Sequence, residues 1–318
     1  MQALQQLRDH YALIAAAYGA VGGGRFFTAP DDPPRIEWRR VRALCEGAAY
    51  DGRWASDYEP VLPEARVELG RYKPNATVHV RFFEHRRPSP TVICVHGYCG
   101  GNFHFEERLW RANVLYQRGL NVILFTLPFH ALRCPWHSLL PLFPCHANLL
   151  RTNDGFGQAI WDLRRLLDWL GGLEVGVAGM SLGGYTTALL TTIEPRLAFA
   201  IPIIPLADLT DAMLLHEAMR GIAIPTEIET LLRRALAIHS PLCRGPLLDG
   251  KRVLVVAAEH DHITGAVHAE RLASHLHASL VRCAGSHLLS LWRTSAPQLI
   301  EAFVARQLLQ PLACKASS

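Results

Sequence analysis

The chain has 318 residues, 32 of them basic and 28 acidic, for a formal net charge of +4, and half of its residues are hydrophobic. That length suits one α/β domain with insertions better than a pair of large domains, and the apolar share is enough to bury a large core. The near balance of charge excludes a polybasic nucleic-acid binder: even the densest basic stretch, Arg35, Arg39, Arg40 and Arg42, is broken by Glu37 and Trp38 and reads as a solvated face.

No apolar run reaches the ~20 residues of a membrane span; the most apolar long run, 197–207, contains Pro202 and Pro205. Arg8, Asp9 and His10 stand where a signal peptide would be apolar, so a cytoplasmic protein is expected. The eight cysteines, Cys45, Cys94, Cys99, Cys134, Cys145, Cys243, Cys283 and Cys314, are scattered. Cys94 and Cys283 fall in strand-like runs, where a free thiol acts as a small apolar side chain.

Residues 3–18 carry Leu4, Leu7, Tyr11, Ile14 and Tyr18 at helical spacing, followed by a glycine-rich break at 22–24. Residues 25–62, rich in Pro, Trp and Arg, read as irregular with short helices. "ATVHVRFFE" alternates, with Val78, Val80 and Phe82 on one face and His79, Arg81 and Phe83 on the other, the pattern of a strand with one wet face. From residue 91 the rhythm changes. A strand at "TVICV" runs into His96-Gly97, then come a helix at "RLWRANVLYQRGL", a strand at "NVILF", and a helix at "GQAIWDLRRLLDWL" closed by Gly171-Gly172. A strand at "VGVAG", a helix at "YTTALLTTI" and a strand at "LAFAIPII" follow. Residues 206–250 are helical in pattern, at "LTDAMLLHEAMRG" and "TEIETLLRRALAIHS", and too long for an ordinary crossover. The chain closes with a strand at "RVLVVAA", a helix at "GAVHAERLASHLH", a strand at "SLVRC" and a helix at "PQLIEAFVARQLL". Apolar strands alternating with amphipathic helices predict an α/β fold, a mostly parallel sheet covered on both faces. The expected organisation is a helical and β extension over 1–90 packed on a core over 91–318, with 206–250 inserted as a small helical cap.

Gly179-Met180-Ser181-Leu182-Gly183 matches G-x-S-x-G between an apolar strand and a helix. Small residues two before and two after allow the sharp turn that lifts a serine hydroxyl above a sheet. A serine needs a base, and the base an orienting acid, which in this architecture follow in the order acid, then His. Asp261, in "EHDH" after the "RVLVVAA" strand, is the expected acid; Asp208 after the "IPII" strand is its rival and Glu259 a third choice. His287, in "GSH" directly after the last strand, is the expected base. His260 and His262 lie too close to Asp261 in sequence, and His275 and His277 read as solvated helix residues. An oxyanion needs two backbone N–H groups: Leu182 after the nucleophile, and Tyr98, or alternatively Gly97, from the loop "HGYCGG". His96 reads as a structural residue beneath that loop.

The motifs "VHGYCGG", "GMSLGG", "EHD" and "GSH", in this order and on these predicted elements, resemble the α/β-hydrolase superfamily over about residues 91–309. The resemblance implies an eight-stranded, mostly parallel sheet and a Ser181–His287–Asp261 triad, with no cofactor and no metal. "CPWHSLLPLFPCH" places Cys134, His137, Cys145 and His146 together, but at no common zinc spacing, and reads as a Pro-rich loop along the pocket rim; "LPFHALR" opens that loop, where His130 or Arg133 either touches substrate or, as the favoured reading, packs the loop. The glycine-rich "GYCGG" and "VGGG" lack a phosphate-cradle pattern.

The expectation is therefore a serine hydrolase that cleaves a small carboxylic ester by way of an acyl-enzyme. Met213, Leu214, Leu215, Leu231 and Leu232 in the cap point to an apolar acyl or alcohol part, or simply pack the cap onto the core. An amidase or peptidase and an acyltransferase would use the same triad, and a non-catalytic binding protein is the alternative of a different class.

Overall fold

A computed structural model describes residues 2–145, 147–287 and 296–309. Among these, the strands are β1 (Glu37–Leu44), β2 (Gly47–Ala55), β3 (Thr77–His85), β4 (Thr91–Val95), β5 (Asn121–Phe125), β6 (Val175–Met180), β7 (Phe199–Ile203), β8 (Leu254–Ala258) and β9 (Ser279–Cys283). They form one sheet in the order β1-β2-β3-β5-β4-β6-β7-β8-β9. From β5 to β9 the neighbours are parallel, and β1, β2 and β3 extend the sheet antiparallel at one edge. The α/β class matches the sequence reading, with nine strands rather than eight.

The two strands that the pattern did not show, β1 and β2, lie in 25–62, which holds a β-hairpin instead of short helices. The alternation in β1 is hidden because Arg39 and Arg40 are adjacent on a mostly exposed edge strand. Its charges are used across the hairpin, Arg39 on Asp51 at 2.9 Å and Arg53 on Glu37 at 2.8 Å, exposed pairs worth under about 1 kcal/mol each. The second face of β3 is not wet either. Phe83 is fully buried, and buried Arg81 meets Asp51 and Glu107, each at 2.7 Å. A buried guanidinium is tolerated when carboxylates neutralise it.

The helices are α1 (Gln2–Phe26), α2 (Pro63–Gly70), α3 (Phe103–Leu109), α4 (Ala112–Gln117), α5 (Leu149–Leu170), α6 (Leu182–Thr191), α7 (Leu209–Met219), α8 (Thr226–Leu236), α9 (Ala266–His275) and α10 (Ala296–Leu309). They cover both faces. On one face α1, α5, α6, α8 and α9 pack on Ile93, Val95, Ile123, Val177 and Val255; on the other α3, α4 and α10 pack on Val92, Cys94, Val122, Ile201 and Val256. Alternate residues of each central strand thus serve opposite cores, which is why these strands read as unbroken apolar runs.

Three helices differ from the sequence pattern. Gly22 sits at φ 69°, so α1 kinks at the expected glycine break. The single helix expected at "RLWRANVLYQRGL" is two, parted at Arg111 with φ 50°. Helix α5 begins eight residues earlier than its apolar spacing suggests, capped by the Asn148 side chain, which accepts from Arg151 N at 3.0 Å. Its first turns, "LLRTNDGFGQ", bury polar residues that bond to the N-terminal segment: Arg151 to Glu68 and Tyr72, Asp154 to Tyr18 and Tyr58, and Gln158 to Asn75 and Ser56. Helices α7 and α8 occupy much of 206–250. Ile228, Leu232, Ala235 and Leu236 form one buried stripe of α8, in the same core as Tyr11 and Ile14 of α1. Leu232 therefore packs the helix down, whereas Leu215 stays exposed.

Candidate active site

Strand β6 ends at Met180 and α6 begins at Leu182, with Ser181 between them at φ 55°, ψ −111°. A positive φ is costly for a residue with a side chain and persists only where surroundings impose it. Here they do. Ser181 N donates to Ile203 O at 2.9 Å. A Cβ on Gly179 would stand 2.0 Å from Gly183 O, and one on Gly183 would stand 2.1 Å from Val95 O. Glycine at both positions is what lets strand, turn and helix close up.

Asp261 and His287 follow the adjacent strands β8 and β9. Their loops are tied by Glu259 N donating to Cys283 O and His260 N to Gly285 O, both at 3.0 Å. As a result His287 Nδ1 lies 2.9 Å from Asp261 Oδ2, and His287 Nε2 lies 3.1 Å from Ser181 Oγ. All three residues are buried but not sealed. Asp261 Oδ1 also accepts from Ile263 N at 2.8 Å and Thr264 N at 2.9 Å, and Oδ2 accepts from Thr264 Oγ1 at 2.6 Å. Burial would raise this carboxyl, but hydrogen bonds from His287 and Thr264 outweigh it and hold Asp261 well below the usual carboxylate range. A hydroxyl, an imidazole and an ionised carboxylate in this chain can pass the serine proton to the imidazole.

The loop from β4 lies alongside. Gly97 packs against Ser181, such that an added Cβ would be 3.4 Å from the serine Cβ. His96 is buried. Its Nδ1 donates to Gly97 O at 2.7 Å and its Nε2 accepts from Leu127 N at 3.0 Å. Burial lowers its pKa to about 4, so it is a neutral brace. Glu106, which sequence reasoning passed over, accepts from Gly101 N and from Trp110 Nε1, each at 3.0 Å. Thr264 was also passed over. Its spacing of three from Asp261 in "DHIT" is the signal of a side chain turning back on its own loop. Tyr98 is half exposed, its hydroxyl donating to Pro141 O at 3.4 Å.

Both residues considered for substrate contact lie in the interior. His130 is fully buried, with Nδ1 donating to Pro128 O at 2.8 Å and its ring 4.9 Å from that of His96. Arg133 is also fully buried, bonded to Asp162 Oδ2 at 2.9 Å, Asn75 O at 3.0 Å and Thr126 O at 3.2 Å. The segment after β5 folds both beneath itself and leaves Leu132, Trp136, Leu139 and Leu140 outside. Asp208 is engaged elsewhere, capping α7 through Thr210 N at 2.8 Å and bonding Arg233 at 2.6 Å. Glu259, His260 and His262 are exposed. His275 is not simply solvated: its Nε2 donates to Arg244 O at 2.7 Å. Among the described residues no three His, Cys, Asp or Glu side chains are grouped to hold a metal ion; His146 and Cys314 lie outside them. No described helix is long and apolar enough to cross a membrane.

The family model for "Alpha/beta hydrolase domain containing 18" matches residues 23–215. The chain belongs to this family. Within this alpha/beta hydrolase family match, the nucleophile turn and the β4 loop are both covered, while Asp261 and His287 lie beyond it. A curated relative, "Uncharacterized protein Rv2627c" of Mycobacterium tuberculosis, is 34% identical over 154 residues, which is 47% of this chain and only 37% of that protein. Acetyl xylan esterase 1 from Thermoanaerobacterium sp. superposes with a TM-score of 0.61 at 13% identity over 95% of this chain and 98% of that one. The acetyl xylan esterase from Paenibacillus sp. R4 does so at 0.55 and 15%, over the same shares. At these identities the solved structures establish the alpha/beta-hydrolase fold.

Proposed function

We propose that this protein is a serine hydrolase that cleaves a carboxylic ester through an acyl-enzyme. The observation that carries the reading is the chain Ser181 Oγ, His287 Nε2 at 3.1 Å, and His287 Nδ1 to Asp261 at 2.9 Å. Ser181 Oγ bonds to the acyl carbon as its proton passes to His287 Nε2. The tetrahedral oxyanion is held by the N–H groups of Leu182 and Tyr98, with Gly97 the alternative second donor. His287 gives the proton to the departing alkoxide, and the alcohol leaves. It then takes a proton from water, whose oxygen attacks the acyl carbon, and returns that proton to Ser181. Asp261 stays ionised, fixing the imidazole and stabilising its cation.

Residues 1–90 serve as an extension whose strands β1, β2 and β3 continue the core sheet, and 206–250 as a helical cap. Exposed Tyr98, Trp136, Leu139, Leu140 and Ile263, on loops that follow β4, β5 and β8, support a substrate with an apolar acyl or alcohol part. The names of the two structural neighbours, both acetyl xylan esterases, support an ester over an amide. A panel of p-nitrophenyl esters of rising acyl length, run beside aminoacyl amides, tests this. Ester turnover above amide turnover is expected; amide turnover above ester turnover contradicts the ester assignment.

A further inference from the structure

Thr264 stands where three parts of the site meet. Its hydroxyl is 2.6 Å from Asp261 Oδ2, the same oxygen that faces His287, and 3.5 Å from His287 Nδ1. It is also 3.3 Å from Ile204 O. Ile204 follows Ile203, whose carbonyl accepts Ser181 N, and it holds a positive φ of 42°. The side chain is buried, and its own N–H adds a second bond to the other carboxylate oxygen. A hydroxyl has one hydrogen, and the 2.6 Å contact with an ionised acceptor takes it. Asp261 Oδ2 thus receives two donors, Thr264 and His287, while Oδ1 is saturated by backbone. Under that arrangement the carboxylate cannot rotate without breaking bonds on both oxygens. A β-branched side chain holds its hydroxyl in one rotamer more firmly than serine does.

We propose that Thr264 is a positioning residue for the reaction, fixing the Asp261 carboxylate so that Oδ2 faces His287. The proposal rests on the serine-hydrolase reading above. It adds a second consequence. By sharing the charge of Oδ2, the threonine limits how strongly Asp261 stabilises the protonated imidazole. Among the described residues, His268 on α9 also acts on Asp261; burial lowers its pKa, and Asp211, Arg271 and Asp208 are arranged around it.

The test uses the full chain and a fluorophosphonate probe, measuring the second-order rate of Ser181 labelling from pH 5 to 9. Thr264→Val keeps the shape and removes the hydroxyl. It is expected to label about tenfold more slowly at neutral pH. The acid limb of its profile is expected to move up by about half a pH unit or more, because the unshared carboxylate charge favours the imidazolium. Thr264→Ser restores the donor and should recover the rate to within about twofold of wild type, with the limb in its original place. Thermal unfolding checks that each variant is folded, and Thr264→Ala carries the same comparison if the valine variant is not. An unchanged rate and limb in Thr264→Val overturns the proposal and leaves the triad reading intact. Equal losses in the valine and serine variants without a limb shift also overturn it, since they mark a loop-packing role. Wild-type protein that does not label at Ser181 takes both readings down.

Discussion

Asp154 and Asp261 are both buried carboxylates inside polar clusters, yet their surroundings drive them in opposite directions. Asp154 lies within α5 and accepts from two phenols, Tyr18 and Tyr58. Burial outweighs the two hydroxyls, which pull the other way, and leaves it raised to about 6. Asp261 lies on a loop at a strand end, where two backbone N–H groups, a hydroxyl and an imidazole converge on it, and it is held well below the usual range despite burial. The difference is access to donors. A helix interior has committed its own N–H groups, so a carboxylate there depends on side chains arriving from elsewhere. A loop at the carboxyl edge of a parallel sheet still has N–H groups to offer. Burial of charge alone therefore does not single out Asp261; its link through an imidazole to a strained serine does, and that link is what the proposed function rests on.

Three substitutions sharpen that contrast. Asp261→Asn is expected to lower ester turnover on the order of 10⁴-fold while leaving the fold intact, and Asp154→Asn to change turnover by no more than a few-fold; steady-state kinetics on a p-nitrophenyl ester checks both. Arg133→Ala strips the partner from fully buried Asp162. It should destabilise the protein by about 3–5 kcal/mol in urea unfolding, with Ser181 of the folded fraction still reactive toward a fluorophosphonate.

The smallest effect is the pH dependence of stability that Asp154 contributes. Its folded pKa of about 6 is above the ~3.9 of an unfolded aspartate. The stability it contributes is thus complete below about pH 4 and is lost as pH rises to about 6. The wild-type urea midpoint, referenced to Asp154→Asn, should fall across that window by the equivalent of about 3 kcal/mol. A midpoint difference that rises instead would show that Asp154 behaves like Asp261, whose contribution is lost as pH falls.

The parallel sheet was legible because its strands bury both faces and announce themselves as apolar runs. The meeting of Ser181, Asp261 and His287 was legible because each follows such a run directly. What escaped was polar burial. The edge strand of the β1–β2 hairpin carries adjacent arginines, and its ion pairs, Arg39 with Asp51 and Arg53 with Glu37, lie across the turn, so no period-two pattern shows. His130 and Arg133 look like exposed rim residues because local sequence does not reveal that Asp162 and Asn75 will cover the arginine. The first turns of α5 look like a loop because Asp154 finds Tyr18 136 residues away. Hydrophobic burial depends on a residue's own side chain and its local period. Polar burial depends on a partner that only the fold supplies, and His130 and Arg133 fall in that class.

An activated Ser181 would react with an electrophile that spares ordinary serines. Fluorophosphonate labelling of the folded protein followed by peptide mass spectrometry tests it most directly. A single adduct on Ser181 that disappears in His287→Ala is expected; an adduct on another residue, or folded protein that stays unlabelled, overturns the role of Ser181.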